Sequence, residues 1–175
     1  MPIRMSALGL LVMVGLMLTA CGSGHLRSDD LYPDDRDFRI DAEAEIVDTT
    51  EAREVLNVLY QYRQALVSKD FGTLTRLVSD EYYDNAGTTQ TTADDWTRSD
   101  LESVFELMAQ HAEEIRYRVL VKDLQVDGNQ AHIDFEFEYS FRFRVGDVEE
   151  LDAGRDVNRM ELAREGDRWR IIGGM

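Results

Sequence analysis

From Ala131 to Val145 every odd position is apolar (Ala131, Ile133, Phe135, Phe137, Tyr139, Phe141, Phe143, Val145) and every even one polar (His132, Asp134, Glu136, Glu138, Ser140, Arg142, Arg144). An unbroken period of two over this length predicts one long strand with a buried face and a wet face. Gly128-Asn129 supplies a two-residue turn before it. Continued without a break, that turn pairs Val126 with Ala131, Leu124 with Ile133 and Leu120 with Phe137. The same register puts Tyr117, Val119 and Val121 on the polar side. A second turn at Gly166-Asp167 sets Leu162 across from Ile171, with Met160 and Trp169 on that face.

The preceding half carries the helical period. Ala52, Val55, Leu56, Leu59, Tyr62 and Leu66 recur at helix spacing behind a capping box of Asp48 and Glu51. After a break at Lys69-Asp70, Asp70 can cap a short helix burying Phe71, Leu74, Leu77 and Val78. The stretch 84–98 is polar and reads as a loop. Ser99 and Glu102 form a second capping box, opening a helix with Leu101, Val104, Phe105 and Met108 on one side. Residues 49–175 thus read as one α+β domain with a single core.

The N-terminus has a different pattern. Arg4 is followed by an uncharged apolar run from Ala7 to Leu18, the length of a secretory signal core. Counted from Met5 to Cys21 the run reaches the lower limit of a membrane span, so an uncleaved anchor is the alternative. Leu18-Thr19-Ala20-Cys21 decides for cleavage, because it resembles a lipobox: an aliphatic residue, two small ones, then the cysteine that takes the lipid. Cleavage is therefore expected after Ala20, with acylation of Cys21 and membrane attachment through its acyl chains, palmitate among them. Cys21 is the only cysteine, so it has no disulfide partner. The expected location is the cell envelope, and Gly22 after the cysteine favours the periplasmic face of the outer membrane where a cell has one.

Residues 21–48 change composition again: nine acids face three arginines, with few large apolar residues between them. Such a segment reads as a solvated tether, with Leu31-Tyr32 and Phe38-Arg39-Ile40 as an alternative partner-binding arm. The whole chain holds 19 basic and 35 acidic residues, a net charge of −16. Removing residues 1–20 takes away only Arg4, leaving 18 against 35, or −17. This balance argues against nucleic acid as a partner and against electrostatic adhesion to anionic lipid.

The order and spacing of several segments resemble the nuclear transport factor 2-like superfamily. They are Gln61-Tyr62-Arg63-Gln64-Ala65-Leu66, then Lys69-Asp70-Phe71 with Leu74 and Leu77, and the closing Gly166-Asp167-Arg168-Trp169-Arg170-Ile171. The resemblance implies a cone-shaped, curved antiparallel sheet packed on about three N-terminal helices, a mouth that admits small apolar ligands, and frequent dimers. Its members include ketosteroid isomerases, polyketide cyclases, dehydratases and non-catalytic binding modules. Fold alone therefore leaves the activity open. Carried over residue by residue, the isomerases' base falls on Ala86, which cannot take a proton. Their oxyanion-donating acid falls near Asn158-Arg159, and only their tyrosine donor has a match, at Tyr62. Asp84 could substitute as base, and Asp94 or Asp95 could reach inward.

Tyr62, Tyr82 and Tyr83 are the candidate pocket residues. The even face of the long strand, with Asp134, Glu136, Glu138, Arg142 and Arg144, is a candidate homodimer surface centred on Tyr117, Val119 and Val121. His25, His111 and His132 have no second ligand at metal spacing, and no phosphate loop or activated nucleophile is present. Neither cofactor nor metal is expected. The expected function is binding of a small apolar ligand or a partner protein. An acid–base enzyme using Asp84 with Tyr62 is the alternative.

Overall fold

The computed structural model describes residues 24–85 and 94–175. The signal segment, Ala20, Cys21 and Ala86 lie outside the described residues. The elements, in chain order, are α1 (Ser28–Leu31), β1 (Phe38–Ile40), α2 (Thr50–Ser68), α3 (Phe71–Leu77), β2 (Tyr83–Asp84), β3 (Trp96–Thr97), α4 (Arg98–His111), β4 (Ala112–Asp127), β5 (Gln130–Val145), β6 (Val148–Glu165) and β7 (Arg168–Gly173). Five strands form one sheet in the order β1-β4-β5-β6-β7, and β2 and β3 pair separately. β1 runs parallel to β4; the other pairings are antiparallel. The helices α2–α4 pack against this curved sheet, which is the expected α+β cone.

Two of the three hairpins, β4–β5 and β6–β7, turn where the glycines predict, and the third, β5–β6, turns at Gly146-Asp147. Gly128 and Gly166 take positive φ (59° and 63°), a conformation only glycine adopts without cost. Val126 faces Ala131 and Leu124 faces Ile133, and Leu162 faces Ile171. Beyond Leu124 the β4–β5 register shifts by one residue at a bulge between Val121 and Asp123. Val119, not Leu120, therefore lies opposite Phe137, and Leu120 lies opposite Glu136. A one-residue slip exchanges the two faces of a strand. As a result Tyr117, Val119 and Val121 are buried in the core rather than displayed on the polar side.

Helix ends differ from expectation by one or two positions. The N-cap of α2 is Thr49, whose hydroxyl accepts the Ala52 N–H at 3.0 Å. Asp48 instead forms a two-bond ion pair with Arg53 at 2.5 and 2.7 Å. At α4 the Asp100 carboxylate accepts both the N–H (2.8 Å) and the hydroxyl (2.6 Å) of Thr97, while Glu102 accepts from Arg98 at 2.9 Å. Asp70 caps α3 as the pattern predicts, accepting the Thr73 N–H at 3.0 Å.

The larger correction concerns residues 24–48, which are not a solvated tether. Leu26, Phe38, Ile40, Ala44 and Ile46 are buried in the core. β1 hydrogen-bonds along the open edge of β4, and the Leu26 N–H donates to the Ile46 carbonyl at 2.9 Å. Tyr32 stacks on Tyr60 of α2 at 4.2 Å and meets Phe38 edge-on at 4.9 Å. Several of the acids serve as ion-pair partners: Asp29 with Arg39, Asp35 and Asp37 with Arg63, and Asp41 with Lys122. Composition misled because few apolar residues suffice when they share one face and cover a sheet edge.

Candidate functional site

The concave face of the sheet carries a continuous row of rings. Along β5, Phe135, Phe137, Tyr139, Phe141 and Phe143 follow one another at centroid spacings of 5.3–5.9 Å. Alternate residues of one strand share a face, so this row is a direct product of the period of two. Phe135 is fully buried, whereas Phe137, Tyr139, Phe141 and Phe143 are only half-buried. Tyr139 lies across Gly154 of β6, where an added Cβ would sit 2.9 Å from the phenol oxygen. Only a glycine leaves that ring its place.

Two tyrosines extend this surface inward, and a third, Tyr82, is buried near Tyr62. Tyr117 of β4 stacks on Phe137 at 5.2 Å, and Tyr62 of α2 meets Tyr117 edge-on at 6.0 Å. Burial pushes the Tyr62 phenol up to about 12, while its hydrogen bond with Tyr117 opposes the rise. Tyr117 is driven higher still by burial, with the Tyr62 phenol adding to the shift. Tyr82 is raised to about 12, again mainly by burial, with smaller contributions that include the nearby Asp84 and Tyr62. At neutral pH all three stay protonated and act as hydrogen-bonding phenols, not as bases.

The candidate residues separate accordingly. Tyr62 and Tyr82 come together in the cone. Tyr83, 53% exposed, points away and donates its phenol proton to Asp95. Asp84 is half-buried, and one of its oxygens accepts the Gly174 N–H at 2.9 Å. The Tyr82 oxygen accepts the Met175 N–H at 3.1 Å, so both residues hold the segment that follows β7. Gly174 passes so close to β6 (an added Cβ would fall 1.8 Å from the Arg159 carbonyl oxygen) that no side chain fits there. At the position of the isomerases' oxyanion acid, Asn158 donates to the Gly174 carbonyl at 3.0 Å and Arg159 pairs with Asp134 at 2.6 Å. Tyr117, read from the sequence as an outward residue, belongs to the site. The signal for it is the change from odd to even apolar positions in β4, between Val121 and Leu124.

On the convex face the even residues of β5 are paired within the chain. Asp134 binds Arg159, Glu136 binds Arg155 and Lys122, and Glu138 binds Arg118. Arg142 reaches Glu114 and Glu149, and Arg144 reaches Glu113 and Glu149. The apolar centre expected for a dimer contact is on the opposite face, for the register reason given above. The exposed apolar residues here are instead Leu151 and Val157 of β6.

No family profile matches the sequence, and no curated protein does. Solved structures do match in fold. A candidate dehydratase of the nuclear transport factor 2-like family from Streptomyces avermitilis superposes with a TM-score of 0.55 at 17% identity, covering 71% of this chain and 93% of that one. A ketosteroid isomerase-like protein from Erwinia carotovora atroseptica gives 0.55 at 13% identity, with 73% and 95% covered. A protein of unknown function with the same fold from Pseudomonas putida gives 0.52 at 16%, with 73% and 85% covered. The chain therefore has the nuclear transport factor 2-like fold. At these identities the likeness extends to the fold alone.

Proposed function

We propose that this chain is an envelope-anchored lipoprotein whose cone binds a small, flat, apolar ligand without transforming it. The observation that carries the binding half is the row Phe137-Tyr139-Phe141-Phe143, left half-buried, with the neutral phenol of Tyr117 stacked on Phe137 and that of Tyr62 behind it. Ligand sites pair a mostly apolar wall with a few placed polar groups, and this surface has that composition. Asp84 gives one oxygen to the Gly174 N–H and hydrogen-bonds the Tyr82 phenol, and the Tyr62 phenol bonds to Tyr117, so these groups serve to hold the wall of the site in this reading. The anchoring half rests on Leu18-Thr19-Ala20-Cys21.

Titration with a naphthalene-type fluorescent probe tests the site. Binding should be saturable and be lost in Phe141→Glu, while Asp84→Asn retains it. Retention in Phe141→Glu sinks the proposal. For the anchor, Cys21→Ser should take up no labelled palmitate.

One observation favours a second reading, a partner protein. Leu107 of α4 and Val145, Val148 and Leu151 at the far end of the β5–β6 hairpin are exposed. A homodimer over the convex face would rest on Leu151 and Val157, and a sedimentation concentration series tests it.

A further inference from the structure

The bulge in β4 has a chemical result on the convex face. It leaves Asp123 directly opposite Asp134, with His132 two residues along β5 on the same side. The Oδ atoms of the two aspartates and a ring nitrogen of His132 all lie within 4.8 Å of one another, and all three residues are partly exposed. We infer that Asp123, His132 and Asp134 form a binding site for a first-row divalent metal ion of the zinc type.

Three features support this beyond proximity. Like charges placed directly across a strand pair repel, and a dication between Asp123 and Asp134 converts that repulsion into attraction. The ring of His132 is partly exposed, so a hydrated ion can reach its nitrogens. Gln125 donates to one Asp123 oxygen at 2.8 Å, which orients the carboxylate and leaves the other oxygen for the ion.

Ligand chemistry selects the metal class. Imidazole suits zinc and its first-row neighbours, whereas calcium and magnesium take oxygen ligands. Donors at about 2.1 Å from a tetrahedral zinc stand roughly 3.4 Å apart, so side-chain rotations on fixed strands close the present spacing. Three protein ligands leave a fourth position for water. Beside His132 lies a hollow of about 340 Å³, lined in part by Gln125 and Glu161. Arg159 opposes the ion, because its guanidinium donates to both Asp134 oxygens at 2.6 Å. The ion must share that carboxylate, so Arg159 lowers affinity without blocking the site.

The test is calorimetric titration of the untagged protein with zinc chloride, with calcium chloride as control. One zinc per chain should bind and calcium should not. His132→Gln and Asp123→Asn should each weaken zinc at least tenfold, and Arg159→Met should tighten it. In the unmodified protein, zinc should shift the ring resonances of His132 ahead of those of His25 and His111, a readout independent of any variant's folding. No zinc uptake, equal uptake in His132→Gln, or first shifts at another histidine each overturn the site. None of these outcomes bears on the ligand proposed for the cone.

Discussion

Arg63 of α2 and Asp35 of the N-terminal segment form an ion pair at 2.7 Å in which the side chains are only 7% and 16% exposed. The same guanidinium donates to the Tyr117 carbonyl at 2.8 Å and to Asp37 at 3.2 Å. One side chain thus joins the N-terminal segment, the long helix and the sheet.

Breaking such a pair from one side strands a charge, at a cost of about 3–5 kcal/mol. Arg63→Met should destabilise the protein by that order in urea denaturation. It should also raise amide exchange at residues 26–46 before the rest of the sheet. Unchanged exchange there would mean that the segment is held by its apolar contacts alone.

Trp169 is buried against α2, its indole N–H donating to Glu54 at 3.2 Å and its ring covered by the Arg164 guanidinium at 5.7 Å. Trp169→Ala should cost about 3–5 kcal/mol. In a Trp96→Phe background the remaining emission should be that of a buried indole. A maximum typical of water contradicts the packing.

Deleting Lys122 removes the extra residue of the bulge and leaves Val121 opposite Phe135 in a regular ladder, so Tyr117, Val119 and Val121 keep the core face. That deletion should fold, and Lys122→Ala should cost little, since its partners Asp41 and Glu136 lie at the surface. Deleting Val121 together with Lys122, with the hairpin turn fixed, instead exchanges the core residues Tyr117 and Val119 for Arg116, Arg118 and Leu120, and we expect no folded protein. A folded double deletion would show that the register is not fixed by burial.

The bulge also marks where the sequence was legible. Both turns, the three main helices and the face of β5 follow from period and turn chemistry, because each depends on neighbours a few residues away. Two features depended on distant partners. Residues 26–46 look unfoldable in isolation and become ordered only on the edge of β4 and the cations of α2. The position of Tyr117 in the site depended on one extra residue in β4. That residue is visible as a change of parity, Val121 to Leu124, which a pattern read outward from the turn alone passes over.

The phenols of the site supply a pH dependence. Tyr62 and Tyr82 are raised to about 12 by burial, against an unfolded value of about 10. Between those values the unfolded chain has lost protons that the folded one keeps, so stability falls as pH rises. Stability should be unaffected by these groups below about pH 10 and decline from there towards pH 12. Phenolate difference absorbance should show at least two tyrosines titrating late in the folded protein. Tyr62→Phe should remove part of the decline; if every tyrosine titrates together near its ordinary value, the buried cluster does not exist.

The central claim, a membrane-anchored cone that holds an apolar molecule, is tested most directly by native mass spectrometry of the protein extracted from the cells that make it. The account expects a chain beginning at Cys21, carrying the mass of its acyl groups plus a non-covalent small molecule that is released on activation in the gas phase. Phe141→Glu should keep the acyl mass and lose the small molecule. A species with no non-covalent adduct in the unaltered protein, or an adduct that Phe141→Glu retains, would contradict it.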